Sequence, residues 1–290
     1  MTGAIAMPRV SIGVPVYNGG RFLERALQCL VSQTFSDIEI IISDNASTDN
    51  TSEIIERFSA IDSRIRVIRQ PVLIEAIENF NAVVKEAAGE FFMWAASDDE
   101  WEPKWIEKLL AEMQDPSVCL AFGHLVNIDK DGVVIKKYKF IPFYGNALLQ
   151  RLQYYFRDEH DGKANIIYGI YRTSVIKKNP FREILGCVDG SDVHFVYSML
   201  KHGKLKTIPE VYMRKRISSA DAKGEGGGKV KKINLLEKLV NFRRVHYLFG
   251  YFYLSDDLLT KMIILIAMPY RYFAMKRLSR RLKAFYRRYV

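Results

Sequence analysis

Residues 10–113 alternate short apolar, β-branched runs with segments of helical spacing, and this alternation constrains the fold more than any other feature of the chain. Residues 10–15 form an apolar run closed by Pro15, and Asn18, Gly19 and Gly20 supply turn chemistry after it. Phe22, Leu23, Ala26, Leu27 and Leu30 then share one side of a helix over residues 22–31. Residues 38–42 are nearly all isoleucine, as expected of a strand covered on both faces. The alternation continues with a helix over 52–58, a strand over 66–68, a helix over 76–88 and a strand over 91–94. Pro103 suits the first position of a further helix running to about residue 113.

Strands and helices alternating at this pace predict an α/β fold, a mostly parallel sheet with helices on both faces. Ligands of such sheets bind beyond the carboxyl ends of the strands. Three polar clusters fall there: Tyr17-Asn18, Asp44-Asn45 and Ser97-Asp98-Asp99. Beyond residue 118 the pattern changes. Residues 118–128 and 133–138 read as a hairpin, 165–171 as a strand, 192–201 as a helix, and 205–208 and 211–214 as closing strands. Gly224, Gly226, Gly227 and Gly228 mark residues 217–229 as a flexible loop.

Charge divides the chain in two. The net charge is +10, but residues 229–290 hold 15 Lys and Arg against 3 acids, so the first 228 residues are close to neutral. A near-neutral body with a basic tail over 230–290 is the implied organisation. The three cysteines, Cys29, Cys119 and Cys187, are odd in number and widely spaced, which argues against a disulfide scaffold and for a reducing compartment. No secretory signal opens the sequence, and the nine residues 262–270 are too few to span a bilayer, which takes about 20. The five histidines form no HxH or HxxxH pair. Neither GxGxxG nor GxxxxGK[ST] follows a strand, which counts against dinucleotide and P-loop sites.

Asp98 and Asp99 suit a hard divalent cation, since Mg²⁺ or Mn²⁺ takes one or two carboxylates and fills its shell with substrate phosphate oxygens. Acids that merely complement the dipole of the following helix are the plainer alternative. Asp44 suits a base N–H or a ribose hydroxyl; an Asx-turn through Ser47 is its plainer alternative. Trp94 reads as core, whereas Trp101 suits either the core or a platform for an acceptor sugar.

Taken in order, Val14-Pro15-Val16-Tyr17-Asn18, Ser32-Gln33-Thr34-Phe35, the run from Glu39 to Asp49, Asn79-Phe80-Asn81, Ala88-Gly89-Glu90-Phe91, and Ser97-Asp98-Asp99 with Pro103 resemble the opening of family 2 glycosyltransferases. The resemblance is strong over residues 8–128 and looser over 129–216. It implies a GT-A, Rossmann-like nucleotide-diphospho-sugar transferase fold over 1–216, with a nucleotide-binding half at 8–128 and an acceptor half at 129–216. Pro15, Tyr17, Asp44, Asn45, Asn81, Ser97 and Asp98 would then line the donor site, and Asp98 and Asp99 would hold the metal. Ala96 stands where the family commonly has a further acid, which leaves open which of the two aspartates is the metal ligand. The family's general base matches Asp192, ahead of Gly203, Ile208-Pro209-Glu210 and Arg214; Asp189 is the runner-up, and Ser191 replaces the usual preceding acid.

The function implied is transfer of a sugar, with inversion, from a nucleotide-diphosphate donor, UDP-sugar first, to a glycan or lipid-linked acceptor in surface polysaccharide synthesis. An inactive membrane-associated scaffold is the alternative, favoured only by Ala96 and Ser191. In the tail, Leu278, Leu282, Phe285 and Tyr289 share a helical face flanked by arginines and lysines, a pattern suited to an anionic membrane surface. A cytoplasmic enzyme peripheral to the inner face of the cell membrane is expected. Packing of these amphipathic helices on the body or in a homodimer is the alternative, and no nucleic-acid-reading motif is present.

Overall fold

The computed structural model describes residues 7–184, 190–217 and 242–289, with side chains in the last stretch described at 245 and 247–273. Asp189, most of the Gly-rich loop and the first part of the tail lie outside the described residues.

The first half follows the expected alternation: β1 (Val10–Val16), α1 (Leu23–Val31), β2 (Ile38–Asp44), α2 (Thr51–Ile61), β3 (Ile65–Arg69), α3 (Ala76–Glu86) and β4 (Phe91–Trp94). β5 (Glu100–Trp101), α4 (Trp105–Glu112), β6 (Val118–Ile128), β7 (Val134–Lys137) and α5 (Ala147–Phe156) come next. Then follow β8 (Ile170–Arg172), α6 (Thr173–Lys178), α7 (Ser191–Met199), β9 (Lys204–Arg216), α8 (Phe242–Leu254) and α9 (Leu258–Tyr289).

The strands form one sheet in the order β3-β2-β1-β4-β8-β6-β9-β5, with β7 on β6. β1 pairs in parallel with β2 and β4, and β2 with β3. β8 runs antiparallel to both β4 and β6, while β9 is parallel to β6. The ends of β1, β2, β4 and β9 therefore open on the same edge. Every residue of β1 and β2 is buried, which accounts for their lack of polar alternation.

Two motifs seen in the sequence are fastenings of this fold. Ser11 Oγ donates to Glu39 Oε1 at 2.6 Å, and both take backbone donors from the turn before β4, Gly89 N–H to Ser11 and Ala88 N–H to Glu39. A Cβ on Gly89 would lie 2.7 Å from Ser11 N, so only glycine allows that approach. Gln33 Nε2 donates to the Glu102 carbonyl, and its Oε1 accepts from Ile106 N–H, capping α4 from across the chain. Pro103 thus sits in a turn two residues before the helix rather than at its first position; Thr34 N–H donates to its carbonyl, and Gln33 holds Glu102 and Ile106 on either side.

The expected strand over 165–171 is corrected. Residues Lys163–Tyr168 form a 3-10 helix entered through left-handed Gly162, and only Ile170–Arg172 is strand. An apolar run this short does not distinguish the two by periodicity. The two closing strands are one, β9, with a register shift against β6 near Gly123. α5, α6 and the short β5 were not legible. The tail is not a separate unit throughout: Leu248, Tyr251, Leu254 and Ile264 join the core of the body.

Candidate functional site

β1 ends at Val16, and the chain turns through Asn18 in the left-handed region (φ 49°). Pro15 is buried within the strand, and Tyr17 emerges 48% exposed with its ring available at the sheet edge. The loops after β1 and β2 are laced together. Asn18 N–H donates to Ser47 Oγ, Thr48 N–H to Asn18 Oδ1, Gly19 N–H to Thr51 Oγ1 and Gly20 N–H to Asp49. A Cβ on Gly19 would lie 3.2 Å from Ser97 Oγ, so the third polar loop packs directly against the first. The three sequence clusters are brought to one edge.

Within that edge the side chains differ in what they offer. Asp44 is buried; Oδ1 accepts from Ser47 N–H at 3.0 Å, and Oδ2 from Ser52 Oγ at 2.7 Å, with Arg69 Nη1 at 3.8 Å. The Asx-turn is thus formed, and the carboxylate orders the loop as well as facing it. Asn45 is 3% exposed and its amide closes both ways on Ile74, donating to the carbonyl and accepting the N–H, each at 2.9 Å. Asn81 does the same across 100 residues, donating to the Phe181 carbonyl at 2.7 Å and accepting its N–H at 3.0 Å. Asn45 and Asn81, expected to line a donor pocket, hold backbone with their amides. Of the two roles open to Trp101, the structure shows the core: it is 3% exposed and paired with Met213 in the sheet. Trp94 is core, as expected.

The acidic pair divides. Asp98 is half-buried, whereas Asp99 is fully buried. Asp99 Oδ1 accepts from Arg216 N–H at 2.8 Å, and its Oδ2 accepts no hydrogen bond. Burial raises the Asp99 carboxyl well above the usual range, and the neighbouring Asp98 adds to this, while Lys215 opposes both. Arg216 binds the loop from the other side through the Asp98 carbonyl, the Asp129 carbonyl and the Glu100 carboxylate. No group of three or more His, Cys, Asp or Glu able to hold a metal occurs among the described residues. The two aspartates fit a divalent ion that completes its shell from substrate oxygens and water: one carboxylate is open to the edge, and the other has an oxygen with no donor.

Asp192 lies in the first turn of α7, which begins after Gly190 at φ 90°. One oxygen accepts from Val193 N–H at 2.7 Å. Burial raises its carboxyl above the ordinary carboxylate range, against the Val193 hydrogen bond and the field of Lys215. A half-buried carboxylate of raised basicity has the character of a proton acceptor.

One residue at the site was missed in the sequence, Lys215. Arg214 was singled out there, but strand alternation turns Arg214 and Arg216 to the side of Cys29 and Phe22. Lys215, between them, takes the opposite face, with its ammonium 3.9 Å from Asp99 Oδ2 and 5.7 Å from the Tyr168 ring centre. The period-two reading of residues 211–216 was the signal that would have found it.

Comparison with known proteins bears on the family and the fold. The sequence profile of "Glycosyl transferase family 2" matches residues 11–185. Glycosyltransferase GlyG of Streptococcus pneumoniae is 34% identical over 121 residues, 42% of this chain and 40% of its own. The GalNAc(5)-diNAcBac-PP-undecaprenol beta-1,3-glucosyltransferase of Campylobacter jejuni is 27% identical over 179 residues, 61% of this chain and 56% of its own. The chain thus spans about half the length of these relatives. The crystal structure of S. aureus TarS 1–349 in complex with UDP-GlcNAc superposes with a TM-score of 0.64 at 19% identity, covering 92% of this chain and 73% of that one, a likeness of fold. With a GT-A architecture and a family profile that matches more than half of its length, the chain belongs to glycosyl transferase family 2.

Proposed function

We propose that this chain transfers a sugar from a nucleoside-diphosphate donor, a UDP-sugar first, to the hydroxyl of a glycan or lipid-linked acceptor in surface polysaccharide synthesis, with inversion at the anomeric carbon. The observation that carries the reading is geometric: the loops after β1, β2 and β4 meet at one sheet edge, and Lys215 of β9 stands 3.9 Å from Asp99 there. Tyr17 offers a ring to the nucleobase, Pro15 shapes the wall beneath it, and Asp44 and Ser97 present oxygens toward the ribose and diphosphate. Asp192 takes the proton of the acceptor hydroxyl as its oxygen bonds to the anomeric carbon, and the bond from that carbon to the diphosphate breaks on the far side. Mg²⁺ or Mn²⁺ held by Asp98, with Asp99 behind it, would stabilise the departing diphosphate. That TarS is described with UDP-GlcNAc, and the C. jejuni relative as acting on an undecaprenol-linked glycan, supports the choice of donor and acceptor class.

The tail supports a peripheral site of action on the inner membrane face. In α9, Leu258, Leu259, Met262, Leu265, Ile266, Tyr270 and Phe273 are each more than half exposed, and their spacing forms one apolar stripe. The same seam in sequence continues through Lys276, Arg280, Lys283 and Arg287. No helix among the described residues is long and apolar enough to cross a membrane. An apolar stripe followed by basic residues suits an anionic bilayer surface.

Calorimetric binding of UDP, GDP and dTDP, each with Mn²⁺ and with chelator, tests the donor reading. Binding of one of them by the folded protein is expected. Binding of none would overturn the reading in favour of a non-catalytic scaffold.

A further inference from the structure

We propose that Lys215 is a fixed counter-charge for the donor's diphosphate, so that this site carries part of its diphosphate-binding charge in the protein rather than in a dissociable ion. The inference rests on the glycosyltransferase reading above.

The argument begins with what Lys215 does not do. Its ammonium stands 3.9 Å from Asp99 Oδ2, beyond hydrogen-bond reach, and that oxygen accepts no hydrogen bond. Among the described residues no acceptor takes a hydrogen bond from it; the Tyr168 ring, 5.7 Å away, is its other close neighbour. The contrast with the next residue is plain. Arg216 is buried and donates through its backbone and side chain to Asp99, Asp98, Asp129 and Glu100, so it fastens the acidic loop. A lysine that served only to neutralise Asp99 would close the remaining gap. Lys215 instead keeps its three donors open, with its side chain 29% exposed at the edge where the ends of β1, β2, β4 and β9 meet.

The side chain of Lys215 is an ammonium at neutral pH. An ammonium is a compact point charge with three rotatable donors, suited to phosphate oxygens. In the transfer step the acceptor oxygen loses its proton to Asp192 and bonds to the anomeric carbon. The electron pair of the breaking carbon–oxygen bond stays on the diphosphate, and Lys215 meets that new charge without giving up a proton. Because Lys215 and Arg216 already face Asp99, the ion-binding role falls mainly on Asp98.

The test is calorimetry of the nucleoside diphosphate that binds best among UDP, GDP and dTDP, and of its monophosphate, with Mn²⁺ and with EDTA. It compares the full chain with Lys215→Gln and Lys215→Arg. In EDTA the wild type is expected to favour the diphosphate over the monophosphate by about tenfold or more, the scale of one charge-assisted hydrogen bond. Lys215→Gln should lose that preference and Lys215→Arg should keep it, while in Mn²⁺ all three bind, which shows that the pocket is intact. A Lys215→Gln variant that keeps the preference in EDTA, or a wild type that has none, would overturn the inference and leave the enzyme reading standing. Absence of nucleotide binding even with Mn²⁺ would overturn both.

Discussion

His194 Nε2 lies 2.8 Å from the carbonyl oxygen of Tyr247 and donates to it, which fastens the helix that carries Asp192 to the C-terminal helices. The attachment is close: a Cβ on Gly250 would come within 2.4 Å of the His194 ring, so α8 presents bare backbone there. Tyr197 Oη and Ser255 Oγ meet at 2.8 Å on the same interface, and Lys163 Nζ donates to Tyr251 Oη at 3.0 Å. The start of the tail is therefore a buttress for the proposed base.

That contact gives stability a pH dependence. His194 is fully buried, and desolvation pushes its imidazole down to about 4, with a smaller opposing effect from the Tyr247 carbonyl. The folded state thus favours the neutral ring, while the unfolded chain protonates near 6.5. The contribution is complete above about pH 6.5 and is lost as pH falls toward 4, by roughly 3 kcal/mol over that window. Urea unfolding should show the wild type losing about 2 kcal/mol more than His194→Gln between pH 7 and pH 5, because the raised carboxyl of Asp99 acts in the opposite sense in both proteins. An equal change in the two proteins would remove His194 as a source of pH dependence.

Asp192→Asn should abolish transfer, with a loss of at least about a hundredfold, while nucleotide affinity stays within about twofold by calorimetry. Asparagine retains the oxygen that accepts from Val193 N–H, so α7 should keep its start. Because burial raises the Asp192 carboxyl, the acid limb of the pH–rate profile should lie above the usual carboxylate range, with activity falling as the pH drops through it. Full activity in Asp192→Asn would take this residue out of the mechanism.

How much of this was legible in the sequence follows from how local each signal is. The alternation from β1 to β4 was readable because buried parallel strands are short, continuous apolar runs, and the polar loops at their ends stand out against them. Asp98, Asp99 and Asp192 were singled out by motif order. The clamping contacts of Asn45 and Asn81 were not legible, because an amide that holds a distant backbone looks the same in sequence as one that meets a ligand; Asn81 finds its partner 100 residues away. Lys215 was passed over since its role depends on which face of β9 turns toward α7, a matter of register with β6. The 3-10 helix at Lys163–Tyr168 depends on Lys163 being drawn inside by Glu159, Tyr251 and two carbonyls, contacts that no local pattern announces.

The two members of the acidic pair should separate on mutation. Asp99→Ala leaves the buried Arg216 N–H without its acceptor and should destabilise the fold by about 1–3 kcal/mol, read as a lowered melting temperature. Asp98→Ala removes a half-exposed side chain and should leave stability within about 0.5 kcal/mol while removing the Mn²⁺-dependent part of nucleotide binding. If the Asp98 variant binds Mn²⁺ and nucleotide as well as the wild type does, the ion-binding role belongs to Asp99.

The stripe on α9 and the basic residues beyond it should contribute separately to membrane attachment. Arg271 must be kept in any truncation, because it is buried against the body and donates to Glu159 at 2.8 Å; removal of 270–290 would disturb the fold as well as the surface. Deleting 274–290 removes seven basic residues and leaves that anchor in place. This variant should lose binding to vesicles containing anionic lipid, and the wild type should lose most of the same increment at high salt. Leu265→Glu with Ile266→Glu instead introduces charge into the exposed apolar stripe, at positions 52% and 75% exposed, and should weaken attachment to anionic vesicles at any salt concentration without lowering the melting temperature. If the double variant keeps its vesicle binding but shifts from dimer to monomer in sedimentation, the stripe is a contact between two copies of this chain and the membrane reading of α9 fails.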